Sequence, residues 1–150
     1  MATSTSTKLE DQLCFALYTT SNALTRFYRP HLKRLGLTYP QYLVMLALWD
    51  EDSLMVKDLG ARLGLDSGTM TPLLKRLENT GLVRRERDAQ DERRVVISLS
   101  KEGHGLAAQA ADLPTTIAKA TGLSATEIGA LIEQLERVRR NLQITVPTED

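Results

Sequence analysis

Residues 66–100 read DSGTMTPLLKRLENTGLVRRERDAQDERRVVISLS, and the apolar pattern of this stretch decides the fold. In its first part, the apolar residues recur at the spacing of one helix face: Met70, Leu73, Leu74 and Leu77. Gly81 stops that helix, and the period then changes to two, because Val95, Ile97 and Leu99 alternate along the chain. With 82–87 as the antiparallel partner, the pattern predicts a helix followed by a β-hairpin.

The residues before this stretch predict two further helices. Thr38 and Gln41 have the spacing of a capping box and open an apolar helix that runs to Trp49. A short helix follows over 56–65, and Asp66 or Ser67 caps the next one. Pro72 removes a backbone donor, so we expect the true start of that helix nearer Thr69 or Met70. The order helix, turn, helix, hairpin is that of a winged helix-turn-helix, a mainly α fold with a small β-hairpin wing.

The ends of the chain predict long helices. Residues 8–29 are amphipathic and end or bend at Pro30, and a helix is expected from Lys101 to about Ala120. Ser124 and Glu127 form a second capping-box pattern, which starts a last helix over 124–142. Residues 1–7 are expected to fray, and 145–150 to be disordered.

Composition excludes several classes of protein. The chain has 150 residues, 42% hydrophobic and 25% charged, which is typical of one soluble globular domain. Its longest apolar run is too short to span a bilayer, and its amino terminus lacks the features of a secretory signal, so we expect a cytoplasmic protein with no membrane partner. Its single cysteine excludes an internal disulfide, and His31 and His104 suggest neither a metal site nor a catalytic constellation. No cofactor is expected.

Charge along the chain is more informative than the net charge, which is zero. Residues 67–101 hold eight basic and five acidic side chains, an excess that permits contact with phosphate without requiring it. Small hydroxyl residues near the helix start would let that helix approach a DNA groove closely. The candidate contacts in this helix are Ser67, Gly68, Thr69, Thr71, Lys75 and Arg76.

The hairpin tip carries a second candidate contact. Asp91 and Arg93 are two residues apart and can face the same side, so the carboxylate can fix the guanidinium while the arginine enters a minor groove. Each of these features has a simpler explanation, a solvated charged surface. The order of the elements, more than any one residue, favours binding to double-stranded DNA.

Residues 56–103 resemble the winged-helix core of the MarR family of bacterial regulators, through Asp91-x-Arg93 and the ending ISLSKEG at 97–103. The resemblance implies a homodimer, with 8–37 and 101–144 as dimerisation helices and 38–100 as the DNA-binding region. Two recognition helices would then lie one DNA turn apart, ~34 Å, on an inverted-repeat operator.

Cys14 lies between apolar residues of the first predicted helix, where a small buried hydrophobe is the simplest interpretation. Tyr18 is one helical turn away on the same face. Tyr28 and Tyr39 cannot be placed from spacing alone. Together, Cys14 in LCFALY, Tyr28 in RFYRP and Tyr39 in GLTYPQY resemble the sensor signature of organic hydroperoxide resistance regulators, a branch of the MarR family.

That resemblance implies that Tyr28 and Tyr39 hydrogen-bond the sulfur of Cys14 across a dimer interface and favour its thiolate. An organic hydroperoxide would oxidise Cys14 to sulfenic acid, and the repressor would release its operator. Because no second cysteine is present, a small cellular thiol or a backbone nitrogen would complete the switch.

Two other functions stay open. A related repressor could be released by a small apolar or phenolic ligand, with Cys14 incidental. A thiol peroxidase that turns over is disfavoured by the absence of a resolving cysteine, so we expect no enzyme.

Overall fold

The computed structural model describes residues 6–145, with side chains up to Gln143, and these form seven α-helices, a short 3-10 helix and a three-stranded sheet. The 3-10 helix covers Leu9–Asp11. The α-helices are α1 (Leu13–Leu35), α2 (Tyr39–Asp50), α3 (Val56–Leu63), α4 (Ser67–Asn79), α5 (Lys101–Ala110), α6 (Leu113–Thr121) and α7 (Ala125–Thr145). The strands are β1 (Leu54–Met55), β2 (Val83–Arg87) and β3 (Val95–Leu99).

The chain forms two compact units, one up to Ala110 and one from Ala111 onward. The first contains the winged helix-turn-helix, so the predicted fold class is confirmed. Its core lies under α2 and α4, where the fully buried side chains include Tyr42, Met45, Leu48, Met70, Leu74 and Leu77. The predicted capping box at the start of α2 is present: Gln41 N–H donates to Thr38 Oγ1, and Thr38 N–H donates to Gln41 Oε1.

The sheet has the strand order β1-β3-β2, all antiparallel. The predicted hairpin of β2 and β3 is present, with Val83 opposite Leu99 and Arg87 opposite Val95. The sequence analysis missed β1, a two-residue strand that pairs Leu54 with Ile97. Its addition gives β3 a partner on both sides and leaves Ile97 fully buried.

Recognition helix α4 begins earlier than predicted. Asp66 is its N-cap, and the carboxylate Oδ1 accepts the N–H of Thr69 at 2.8 Å. The expected start at Thr69 or Met70 is therefore wrong, and Pro72 lies inside the helix. Pro72 is exposed, while the opposite face of α4 is buried in the core. That burial outweighs the backbone hydrogen bond that the proline removes.

Helix α1 also differs from its predicted bounds. It begins at Leu13 rather than near Lys8, and it continues through Pro30 to Leu35. Its end is set by Gly36, whose φ of +70° is left-handed, with Leu37 N–H donating to Leu32 O at 3.1 Å. Leu32 is 1% exposed, so burial of the last turns and this C-cap extend the helix beyond the proline.

The stretch predicted as one helix from Lys101 to Ala120 is two helices. Ala111 and Asp112 separate α5 from α6, and Pro114 lies in the first turn of α6, where its missing N–H costs nothing. The second capping box is confirmed, because Ser124 N–H donates to Glu127 Oε2 and Glu127 N–H donates to Ser124 Oγ. Helix α7 continues to Thr145, so the predicted disordered tail starts too early. The rest of that tail, 146–150, and the first part of the predicted frayed end, 1–5, lie outside the described residues.

Candidate DNA interface and cysteine site

The face of α4 that carries the candidate DNA contacts is exposed. All six side chains or positions predicted from the sequence lie on it: Ser67, Gly68, Thr69, Thr71, Lys75 and Arg76. Met70, Leu73, Leu74 and Leu77 are buried on the other side, which fixes the orientation of the helix. The Thr71 hydroxyl donates to the carbonyl of Ser67 at 2.8 Å, so in the free chain it satisfies a backbone group of its own helix. Lys75 and Arg76 extend from the solvent side.

The tip of the wing between β2 and β3 is held by its own backbone. Asp88 N–H donates to Arg94 O at 2.8 Å, and Arg94 N–H donates to Asp91 O at 2.9 Å. The Asp91 carboxylate accepts the backbone N–H of Arg93 at 3.1 Å. We expected this carboxylate to hold the guanidinium of Arg93, but no ion pair joins the two side chains among the described residues. Asp91 therefore shapes the turn and leaves the arginine head free to reach outward.

A concavity with a volume of about 710 Å³ lies between α4 and the wing. It brings together four of the predicted contacts: Ser67, Thr71, Asp91 and Arg93. Three cations on its walls were not predicted, namely Lys57, Arg85 and Arg94. Four basic side chains and one carboxylate thus line the same concavity, which gives it the charge that a phosphate backbone requires. Side chains alternate between the two faces of β2, and this alternation was the sequence signal that could have identified Arg85 as part of the concavity.

Cys14 is the second residue of α1 and is exposed. Its neighbours on the helix are exposed apolar side chains: Leu13 is 61% exposed and Tyr18 is 69% exposed. In this chain Cys14 is therefore not the small buried hydrophobe of the simplest interpretation. It lies within an uncovered apolar patch at the start of α1, where a partner surface can reach it.

Tyr28, Tyr39 and Tyr42 form an aromatic cluster where α1 meets α2. The ring centroids of Tyr28 and Tyr39 are 5.2 Å apart, and those of Tyr28 and Tyr42 are 5.5 Å apart. Burial and the neighbouring phenols raise the pKa of Tyr28 to about 12, and burial also raises the pKa of Tyr39 and of Tyr42. The three phenols therefore stay protonated at neutral pH and can donate hydrogen bonds. Sequence reasoning missed Tyr42, although it lies three residues after Tyr39 at helical spacing.

The single chain does not bring Cys14 to this cluster. Cys14 and Tyr28 lie on the same helix, fourteen residues apart. At a rise of 1.5 Å per residue their backbones are roughly 20 Å apart along the axis. Tyr18, which we grouped with Cys14, is one turn from it and is not part of the tyrosine cluster. Contact between the sulfur and the phenols thus needs a second copy of the chain.

The described part of the chain contains no group of three or more histidine, cysteine, aspartate or glutamate side chains arranged to hold a metal ion. Among residues 6–145, no helix combines the length and apolarity needed to cross a membrane.

Comparison with known proteins places these features in a family. Residues 26–109 match the family model described as transcriptional regulator SarA/Rot. The organic hydroperoxide resistance transcriptional regulator of Bacillus subtilis is 53% identical over 110 residues, which cover 73% of this chain and 75% of that protein. The HTH-type transcriptional regulator TtmR of Methylorubrum extorquens is 52% identical over 134 residues, 89% of this chain and 69% of that protein.

Two solved structures are similar along most of the chain. Reduced AbfR bound to DNA has 38% sequence identity and a TM-score of 0.75, over 89% of this chain and 93% of that one. The PcaV regulator of Streptomyces coelicolor in complex with its natural ligand has 25% identity and a TM-score of 0.78, over 93% of this chain and 98% of that one. AbfR has also been solved overoxidised and bound to DNA, and with a disulfide formed.

Proposed function

This chain belongs to the winged-helix transcriptional regulators of the SarA/Rot and MarR type, and on that premise we propose that it is a homodimeric repressor that senses organic hydroperoxides through Cys14. In its reduced state it binds an inverted-repeat operator in double-stranded DNA, and oxidation of Cys14 releases that operator. It acts in the cytoplasm, where its operator DNA is found.

Each subunit presents α4 to the major groove and its wing to the flanking minor groove. The exposed hydroxyl and amide groups at the start of α4 and the cations Lys75 and Arg76 are the major-groove contacts. Arg93, whose backbone is fixed by Asp91, is the minor-groove contact. The basic concavity between them accommodates the phosphate strand that separates the two grooves.

Exposed apolar side chains support the dimer. On α1 they include Leu13, Leu17 and Phe27, and on α7 they include Leu131, Ile132, Leu135 and Leu142. A monomer rarely leaves so many large apolar side chains in water along single helix faces. A homodimer would bury them, and its two-fold axis would match the symmetry of an inverted repeat.

The observation that carries the sensing mechanism is the separation of Cys14 from the tyrosine cluster along one helix. The cluster holds protonated phenols that can stabilise a thiolate, yet the backbone of Tyr28 lies roughly 20 Å along α1 from that of Cys14 in the same chain. We therefore propose that Tyr28 and Tyr39 of one subunit donate hydrogen bonds to Cys14 of the other. The state of the sulfur then controls the dimer geometry directly.

The reaction itself needs one cysteine and two external reagents. The Cys14 thiolate attacks the terminal oxygen of the hydroperoxide, the O–O bond breaks, and the alkoxide leaves and takes up a proton to become an alcohol. The resulting sulfenic acid reacts with a small cellular thiol, which displaces its hydroxyl as water and forms a mixed disulfide. The bulk of that adduct breaks the phenol contacts, shifts the dimer helices and changes the spacing of the two α4 helices.

The switch reacts once per subunit and is not a turning-over peroxidase. This sequence holds no second cysteine to resolve the sulfenic acid. In AbfR, the overoxidised form is also described as bound to DNA, which favours the adduct, more than oxygen on the sulfur, as the releasing event.

A second candidate function follows from a cavity of about 530 Å³ beside Tyr39. Its lining includes the apolar side chains of Leu32, Leu37 and Pro40 and the basic side chains of Arg29 and Lys33. Such a site could hold a small phenolic or apolar acid, and PcaV was solved with its natural ligand. In that case ligand binding would release the operator, and Cys14 would be incidental.

Replacement of Cys14 by serine separates these candidates. An operator duplex is first selected from random sequences by the reduced protein, and binding is followed by fluorescence anisotropy as cumene hydroperoxide and a small thiol are added. We expect Cys14→Ser to bind the operator as the parent does and to remain bound after oxidant. If the variant is released as readily as the parent, the sensor assignment is wrong and the ligand-released repressor is favoured. Failure of the reduced parent to bind any duplex would contradict repression itself.

A further inference from the structure

We infer that Trp49 and Ser100 are positioning residues that transmit the state of the tyrosine cluster to the carboxy-terminal end of α4. This inference rests on the proposed function, since it explains how a change at the phenols reaches the DNA-reading helix. Every contact in it lies in the first compact unit, so the path is internal to that unit.

The first part of the path is a row of aromatic rings. Tyr42 contacts Tyr28 at 5.5 Å between centroids, and it contacts Trp49 edge-on at 6.4 Å. Tyr42 and Trp49 are seven residues apart on α2 and so lie on the same helix face. Tyr42 is only 1% exposed, so its ring has no solvent into which it can move. A displacement of Tyr28 is therefore passed to Trp49 through close packing.

The second part is a chain of hydrogen bonds. The indole Nε1–H of Trp49 donates to the carbonyl of Gly103 at 2.9 Å. The N–H of Gly103 donates to Ser100 Oγ at 3.0 Å, and the hydroxyl of Ser100 donates to the carbonyl of Gly81 at 2.5 Å. Gly81 follows directly on the C-cap of α4 and has a left-handed φ of +77°. The chain thus ends at the turn that sets where α4 stops.

At the junction between α5 and this turn, backbone lies close against backbone. A Cβ at Gly103 would overlap the carbonyl oxygen of Leu82, so the first turn of α5 rests on backbone. The N–H of Ser100 also donates to that carbonyl at 3.0 Å. Ser100 and Gly103 are both buried. A shift at Gly103 is therefore passed through the Ser100 hydroxyl to the turn at Gly81.

The indole N–H gives a way to test this path without emptying the core. Trp49→Phe keeps a smaller aromatic ring against Tyr42 and removes the donor to Gly103. Ser100→Ala breaks the next link. Ser98→Ala is the matched control, because its hydroxyl makes a 3.0 Å hydrogen bond with Ser53 Oγ in the same unit and outside the path.

Operator dissociation constants are measured for the reduced full-length protein and for protein capped at Cys14 by cumene hydroperoxide and a small thiol, with capping followed by intact mass. The Trp49→Phe variant should be capped at the parental rate and bind operator normally when reduced. The ratio of the capped to the reduced dissociation constant should fall about tenfold below the parental ratio, which is a typical coupling between two sites. Ser98→Ala should keep the parental ratio.

A Trp49→Phe variant that releases operator to the parental extent overturns the relay, by which we mean the path from the tyrosine cluster through Trp49 and Ser100 to α4. If that variant fails to fold or to bind, Ser100→Ala decides by the same ratio, and a parental ratio there also overturns it. A parent that keeps its operator after capping contradicts the proposed function and removes the relay with it. If the capped parent and the capped variant both release the operator to the same extent, the relay is contradicted and the proposed function is not.

Discussion

Tyr28 is held between the rings of Tyr39 and Tyr42, and its burial there raises the pKa of its phenol to about 12. The same protonated phenol is the group that we propose to donate to the sulfur of the partner's Cys14. Cys14 itself is exposed at the start of α1, in contact with solvent and open to a peroxide. The reactive sulfur of Cys14 and the phenol of Tyr28, which we propose to stabilise its thiolate, thus lie at separate positions along the same helix.

The raised pKa of Tyr28 predicts a loss of stability in alkali. Because the folded state favours the neutral phenol, its contribution is fully present below the ordinary pKa of 10.0 and is lost as the pH rises through about 12. Urea unfolding of the reduced protein between pH 9 and about pH 12 should therefore show a decline that is shallower in Tyr28→Phe. Tyr18→Phe, which alters an exposed tyrosine outside the cluster, should keep the parental slope. Equal slopes for parent and Tyr28→Phe would contradict the burial of Tyr28.

At the scale of elements, the start of α4 determines how the protein approaches DNA. The Asp66 carboxylate caps this helix, and its hydrogen bonds from Thr69 lower its pKa. The cap is therefore ionised at neutral pH, and the stability that its charge contributes is lost as the pH falls through that lowered value. The residues that follow it are the predicted groove contacts, so a frayed first turn would displace them together.

Replacement of the Asp66 cap should weaken operator binding, although Asp66 is not itself one of the candidate DNA contacts. We expect Asp66→Ala to bind operator several-fold more weakly and to melt at a lower temperature, because the Thr69 amide loses its acceptor. Asp66→Asn, which keeps a side-chain acceptor and removes the charge, should retain most of the stability. Calorimetry and anisotropy on both variants check this. If the two variants behave alike in binding and melting, capping is not what Asp66 contributes.

Elements that depend on local signals could be predicted from the sequence. Both capping boxes, at Thr38 and at Ser124, are confirmed because their partners lie three residues away. The last turns of α1 and the first turn of α4 could not be predicted. Each helix contains a proline, and its apolar face is buried against residues that are distant in the sequence. Strand β1 was missed for the same reason: two residues define it only through pairing with β3, more than forty positions later.

The sequence indicated part of the candidate site but not Lys57, Arg85, Arg94 or Tyr42. The exposed face of α4 and the tip of the wing were located from their patterns. The cations Lys57 and Arg85 join them only when α3 and β2 fold around the same concavity. Asp91 accepts a hydrogen bond from the backbone of Arg93 and does not form the expected ion pair with its guanidinium, because a spacing of two residues is compatible with either contact.

At the scale of the whole molecule, the function that we propose requires two copies of the chain. Two recognition helices on a two-fold axis are needed to read an inverted repeat, and the sulfur and the phenols meet only between subunits in the mechanism that we propose. The exposed leucines of α7, with Leu142 at 61%, are side chains for such a contact.

A carboxylate placed among those leucines should weaken the dimer. We expect Leu135→Glu to shift sedimentation from twice the chain mass of 16.7 kDa toward a single chain and to weaken operator binding about tenfold or more. Arg140→Glu places a carboxylate roughly 140° around α7 from Leu135 and should sediment as the parent does. A parental Leu135→Glu dimer would exclude this face from the interface.

The most direct test of the account is to measure, in one titration, the fraction of chains that carry a thiol adduct on Cys14 and the fraction of operator released. Intact mass spectrometry reports the first quantity and fluorescence anisotropy reports the second, as cumene hydroperoxide is added in the presence of a small thiol. The account predicts that the two fractions rise together and that both vanish in Cys14→Ser. Complete modification of Cys14 with the operator still bound, or release without any change in mass, would contradict it.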